Sequence, residues 1–203
     1  MSFGSRPFPS RSDRPDKGGR SGPGGRARTA DPVETARQIC LNQLEHAPRT
    51  RAELAGRLRD KGVADDVAEQ VLSRFAEVGM IDDALFAQMW VTSRHRGKGL
   101  ARRALTQELR RKGVDEQSVA EALATLDPDQ ELVTARALVD RRLRTTTGLT
   151  PEARVRRLAG MLARKGYPAG VAFRVVKQAL AAEGVEAELG FDELSGLDDE
   201  AAQ

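Results

Sequence analysis

RLRDKGV at residues 57–63 closes a charged stretch with a glycine, and the same ending returns as LRRKGV at 109–114 and LARKGY at 162–167. Leu54 and Leu58 lead into Lys61-Gly62, Leu105 and Leu109 into Lys112-Gly113, and Leu158 and Leu162 into Lys165-Gly166. Leucines at this spacing share one face of a helix, and the glycine supplies the left-handed backbone that ends a helix without a Cβ clash. The residue after it, Val63, Val114 or Tyr167, is placed to pack back on the last turn as the apolar contact of a Schellman-type cap. Gly62 and Gly113 lie 51 residues apart, and Gly113 and Gly166 lie 53 apart. A repeat of this length implies supersecondary units stacked in series, each burying its face on its neighbours.

Helix punctuation fills in the rest of each unit. Asp31-Pro32 with Glu34, and Asp127-Pro128 with Gln130, each combine an N-cap, a proline at the first helical position and a capping-box partner. Thr50 with Glu53, Asp82, and Thr150-Pro151 add further starts, while Gly62, Gly79, Gly113 and Gly166 supply stops. Apolar residues between these marks recur at helical spacing, as in Leu85, Phe86, Met89 and Trp90, or Val67, Val71 and Phe75. The pattern predicts helices over 33–46, 51–61, 65–77, 82–96, 100–112, 116–125, 128–143, 151–165 and 169–182, with no strand. The expected fold is all-α, with three tandem three-helix repeats at 31–79, 80–126 and 127–183. Globular scaling makes each unit about 25 Å across, so three in series predict an elongated, curved rod of roughly 75 Å.

Composition narrows the function classes. The 203 residues are 31% charged and only 4% aromatic, which suits a helical protein and is poor for sheet. Cys40 is the single cysteine and can form no internal disulfide, and no apolar run approaches the length of a membrane span, so a cytoplasmic location is expected. The net charge of +3 conceals a gradient: residues 1–32 carry +4, residues 33–183 carry +6 and residues 184–203 carry −7. The Gly/Arg/Pro/Ser-rich stretch 1–30 is predicted to be disordered, as a solubilising tail or an electrostatic tether for nucleic acid. The acidic stretch 184–203 is expected to be a flexible tail or, on a second reading, an acidic mimic that competes for the protein's own basic surface.

The three endings, the linker GMIDDALFAQMWVTSR at 79–94 and the following RGKGLARRALTQELRRKGV resemble the RecX family, bacterial regulators of the RecA recombinase. The resemblance covers roughly residues 33–183, and 79–114 is its most specific part. It implies three tandem three-helix repeats and binding to RecA or to its nucleoprotein filament, restraining strand exchange and RecA's ATP hydrolysis. It implies no catalysis by the chain itself and no cofactor. The tails are not part of the family core.

The residues point the same way without the name. Arg94, Arg96, Lys98, Arg102, Arg103, Arg110, Arg111 and Lys112 face one acid, Glu108, within residues 94–112. Solvated helix faces usually interleave signs, so a run this one-sided points to a polyanion or an acidic protein partner. Arg154, Arg157, Arg164 and Lys165 are expected to stand outward in the third repeat, whereas the first mixes Glu53 and Asp60 among its cations. A helix-turn-helix reader would contact bases from the start of each unit's third helix, but those starts read ADDVAEQV, DEQSVAEA and PAGVAFRV. Two of the three open on acids that would repel phosphate, so any DNA contact should be weak, backbone-directed and independent of sequence. A general nucleic-acid-binding protein of tandem helical repeats is the alternative reading.

Enzyme chemistry finds no footing. Cys40, His46 and His95 are scattered and lack the spacing of a ligand set or a nucleophile pair. His46 is expected at helix-end carbonyls, His95 in the basic run, Asp82-Asp83 in capping and Trp90 in the core. A monomer is expected.

Overall fold

A computed structural model of the chain describes residues 31–184, so the expectations for the two tails fall outside the described residues. Among the described residues there are nine α-helices and no strand: α1 Pro32–Leu44, α2 Arg51–Asp60, α3 Asp65–Glu77, α4 Asp83–Lys98, α5 Arg102–Arg111, α6 Glu116–Ala124, α7 Pro128–Leu143, α8 Pro151–Arg164 and α9 Ala169–Ala181. A 3-10 turn at Arg144–Thr146 follows α7.

The starts are made by the side chains the sequence offers. Thr50 and Glu53 form a reciprocal capping box on α2, Asp82 accepts from the Leu85 amide at 2.8 Å, and Asp115 accepts from the Ser118 amide at 2.9 Å. Each ending behaves as the repeat requires. The amide of Val63, Val114 or Tyr167 donates back to Leu58, Leu109 or Leu162, at 3.1, 3.2 and 3.2 Å, across a glycine at φ +73°, +75° or +87°. α4 departs from expectation, running through Gly97 to Lys98 and ending at Gly99 with φ +64°. A Cβ on Gly99 would press on Leu138, so this glycine both stops the helix and admits α7.

The helices pack in threes. Cys40, Leu54, Leu58, Val71, Leu72 and Phe75 join α1, α2 and α3; Phe86, Val91, Leu105, Leu109, Val119 and Ala122 join α4, α5 and α6; Val139, Val155, Leu158, Leu162, Val176 and Leu180 join α7, α8 and α9. The paired leucines of the three endings are all at most 1% exposed. Truncating any one to alanine removes about 2–5 kcal/mol. Leu85 and Met89, expected on the buried stripe of their helix, are instead 52% and 54% exposed. Phe86, Ala87 and Val91 fill the core side of α4, one residue further round the helix.

The bundles are joined by a device used twice. At the first joint the Thr50 hydroxyl donates to the Lys112 carbonyl at 2.6 Å, the Lys112 ammonium reaches Glu53 at 2.7 Å, and the Arg51 amide donates to Asp83 at 2.9 Å. At the second the Ala101 amide donates to the Lys165 carbonyl at 2.8 Å, the Lys165 ammonium donates to the Lys98 carbonyl at 2.6 Å, and the Arg102 amide donates to Glu131 at 2.9 Å. In both, the carbonyl end of one bundle's second helix meets the amide end of the preceding bundle's second helix, so opposite dipole ends face each other. The glycines make this approach possible. A Cβ on Gly113 would overlap Ala52, and one on Gly166 would overlap the backbone of Ala104, whereas nothing lies within 4 Å of the same position at Gly62.

The series is closed at its other end. Twelve residues before the glycine stand Thr50, Ala101 and Arg154. The first two open their helices and receive the next bundle, but α8 begins earlier, at Pro151, and carries Arg154 in its first turn. Arg154 is only 5% exposed, contrary to the outward position expected from helical spacing. Its Nε donates to Thr146 at 3.1 Å and its Nη2 to Glu183 at 2.5 Å, so the 3-10 turn and the end of α9 close over it.

Candidate nucleic-acid and protein-binding surface

Half of the eight cations expected to form a one-sided face, Arg94, Arg102, Arg110 and Lys112, pair with carboxylates from other elements. Arg102 donates to Glu131 and to the carbonyls of Leu123 and Leu126, tying α5 to the α6–α7 connection. Lys112 pairs with Glu53 and lies over the rings of Trp90, at 4.4 Å, and Phe86, at 5.4 Å. Arg94 also lies over Trp90, at 4.0 Å, and 3.6 Å from Glu108, which accepts from the indole N–H at 2.8 Å. Trp90 is therefore a half-buried bridge between α4 and α5 that two cations contact. Arg110 makes a two-pronged pair with Glu116 at 2.7 and 2.9 Å, which raises the guanidinium pKa and lowers that of the carboxylate. The count of eight cations against one acid was correct as sequence, but Glu53, Glu116 and Glu131 come from other helices.

What remains is a strip centred on α8. Arg142, Arg157 and Arg164 line a cavity of about 210 Å³ with Thr145, Thr146, Leu158 and Met161, and no carboxylate lines it. Arg164 also borders a neighbouring hollow of about 170 Å³ with Arg103 and Gln107 of α5, so the two helices share one cationic surface. Lys165 joins them: its own burial, then the positive charges of Arg141, Lys98 and Arg142, hold its ammonium below the ordinary lysine pKa. Like charges are crowded here, and among the described residues no carboxylate forms an ion pair with Arg142, Arg157, Arg164 or Lys165. Arg111 and Arg96 stay exposed, the latter on the rim of a cavity of about 540 Å³ between α4 and α7. Arg141 and Arg142, absent from the sequence-predicted face, were visible in principle in the run DRRLR at 140–144. They were masked by lying at the end of a first helix instead of a second one.

The histidines separate as well. His46 Nδ1 lies 2.7 Å from the Asn42 carbonyl, as expected at a helix end. His95 does not belong to the basic surface: it is 4% exposed, with Nδ1 2.9 Å from the Leu100 carbonyl and Nε2 3.0 Å from the Thr134 hydroxyl. It links α4, the α4–α5 turn and α7. Asp82 caps α4, and Asp83 receives the Arg51 amide; no group of three or more His, Cys, Asp or Glu side chains among the described residues could hold a metal ion. Nor is any described helix long and apolar enough to cross a membrane.

Comparison with known proteins matches three family models in order: the first three-helix domain of RecX at residues 36–75, the second at 82–123 and the third at 129–176. The regulatory protein RecX of Thermobifida fusca is 58% identical over 169 residues, covering 83% of this chain and 91% of that protein. That of Mycobacterium avium is 50% identical over 151 residues, covering 74% and 87%. The crystal structure of RecX from Lactobacillus salivarius has the same fold, with a TM-score of 0.67 at 17% identity over 73% of this chain and 97% of that one. Three matched domains in series and relatives at 58% and 50% identity lead to one conclusion: the chain belongs to the RecX family of regulatory proteins.

Proposed function

We propose that this protein is a non-enzymatic regulator that binds the RecA recombinase or its filament on DNA and restrains RecA's ATPase and strand exchange in recombination, repair and the SOS response. Membership of the RecX family supports RecA as the protein partner. The observation that carries the DNA contact is the cluster of Arg142, Arg157, Arg164 and Lys165, whose cavity no described carboxylate lines, beside Arg103 on α5. Cations fixed at close range on rigid helices repel one another, and a row of phosphates relieves that repulsion by taking the place of scattered counterions. The contact is backbone-directed, because two of the three third helices, α3 and α6, open on Asp65 and Asp66 or on Glu116, which repel phosphate. Seated on a filament, the protein obstructs a second DNA and biases RecA away from active cycling. It acts in the cytoplasm as a monomer and needs no cofactor.

The test is RecA's ATPase on single-stranded DNA, titrated with this protein below one molecule per RecA, with binding to DNA alone followed in parallel. Inhibition at substoichiometric ratios is expected. An untouched ATPase with persistent DNA binding would replace this reading with that of a general, sequence-independent nucleic-acid-binding protein, which the same cationic strip would serve.

A further inference from the structure

Beside the cationic strip, on the side of α9, lies a surface of different character. A groove of about 350 Å³ between α5, α7 and the α8–α9 turn has an apolar wall of Pro128, Leu132, Tyr167, Pro168 and Val171. Arg102, Arg103, Arg174 and one carboxylate, Glu131, stand at its margin, and Glu131 is paired with the Arg102 guanidinium, so the groove margin keeps a net positive charge. Tyr167 is 3% exposed, and its buried hydroxyl meets no hydrogen-bond partner in the structure. Arg174 also borders a second, shallower hollow with Phe173, Lys177 and Gln178, lined by no carboxylate. The two depressions thus form one track along α9, apolar at one end and basic along its length.

The chain itself contains a segment of the complementary kind. Residues 185–203 carry seven acids and no Lys or Arg, and among the acids stand Leu189, Phe191, Leu194 and Leu197. The described chain ends at Gly184, just past α9. From there back to the level of Arg174 is about 15 Å of helix, which about five extended residues cover. Phe191 and Leu194 then fall at the apolar end of the track, with Glu186, Glu188, Asp192 and Glu193 passing the basic side chains.

We propose that residues 185–203 turn back along α9 and seat Phe191 and Leu194 in this groove, their carboxylates against Lys177, Arg174 and Arg103. This adopts the second of the two readings of the acidic segment. Because Arg103 belongs both to the groove margin and to the cationic strip, the chain's own end competes with nucleic acid for that strip; this consequence rests on the proposed function, whereas the docking does not.

The experiment uses the full chain with a photo-crosslinking benzoylphenylalanine in place of Leu132, which is 37% exposed on the wall of the groove. Lys177 is the last tryptic site, so residues 178–203 leave as one peptide. An intramolecular crosslink to that peptide, mapped by fragmentation beyond Gly184 and lost in the double variant Phe191→Ser/Leu194→Ser, is the expected result. Crosslinks joining two copies, crosslinks to other segments, or none above those of an unirradiated sample would overturn the proposal. The same double variant, with the charge of the segment unchanged and Leu132 native, should bind an oligo-dT strand several-fold more tightly at low salt. A crosslink with unaltered affinity would keep the docking and overturn the competition, and with it the placement of the nucleic-acid site on the strip. An absent crosslink alongside DNA binding that depends on the strip would do the reverse.

Discussion

Gly62, Gly113 and Gly166 have the same left-handed backbone, yet only the second and third carry a neighbouring bundle at van der Waals contact. Substitution by alanine at Gly62 should cost about 1–2 kcal/mol, the ordinary penalty for a left-handed L-residue. At Gly113 and Gly166 overpacking adds about 1–3 kcal/mol, more at Gly166, where the obstructing atoms include backbone and cannot swing away. Urea unfolding of the three single variants checks the order, and equal losses at all three sites would contradict the docking role. Arg154 makes a second residue-scale case. Arg154→Ala removes hydrogen bonds to Thr146 and Glu183 and leaves the buried Thr146 hydroxyl, itself 1% exposed, with only the bond it donates to the Leu143 carbonyl. A loss of about 1–3 kcal/mol is expected from the same unfolding measurement, with the surface variant Arg156→Ala near neutral.

The elements were legible because their boundaries are written in side chains that act locally: Thr50 with Glu53, Asp82, Asp115, and the glycines at the stops. What acts across elements was not. The spacing rule put Arg154 outside because it counts residues along one helix and cannot see Glu183 arriving from the end of α9. It put Leu85 and Met89 inside because their apolar neighbours Phe86 and Trp90 are equally periodic, and only the bundle decides which side of α4 is covered. The first joint offers an element-scale prediction. Burial pushes the Glu53 carboxyl up, but hydrogen bonds from Lys112 and the Thr50 amide, with the charges of Lys112 and Arg49, outweigh it and hold the pKa below the ordinary carboxylate value. The unfolded carboxyl, near 4.3, takes up its proton first. The joint's contribution is therefore complete above that pH and is lost as pH falls through the lower folded value. Urea midpoints followed from pH 6 to pH 3 should drop more steeply in the native chain than in Glu53→Gln, which has no proton to gain there.

For the whole molecule, the sequence showed where positive charge is dense and the structure shows where it is left over. Arg102, Arg110 and Lys112 serve joints and neighbouring acids, while Arg142, Arg157 and Arg164 do not. Charge reversal of these last three should weaken binding to single-stranded DNA and flatten its dependence on salt, by about 2 in the log–log slope if each meets one phosphate. Arg57 and Arg59, exposed on α2 and equally basic, serve as the control and should leave the slope unchanged. The joints also give the array a polarity. A further unit placed ahead of α1 would meet the Lys61-Gly62 end, which no other described bundle occupies and which is shaped like the two ends already in use, whereas one appended after α9 would meet a receiving position filled by Arg154 and sealed by Glu183. The joint used twice could be repeated ahead of α1 but not after α9 without displacing the buried arginine, which acts as the full stop of the series.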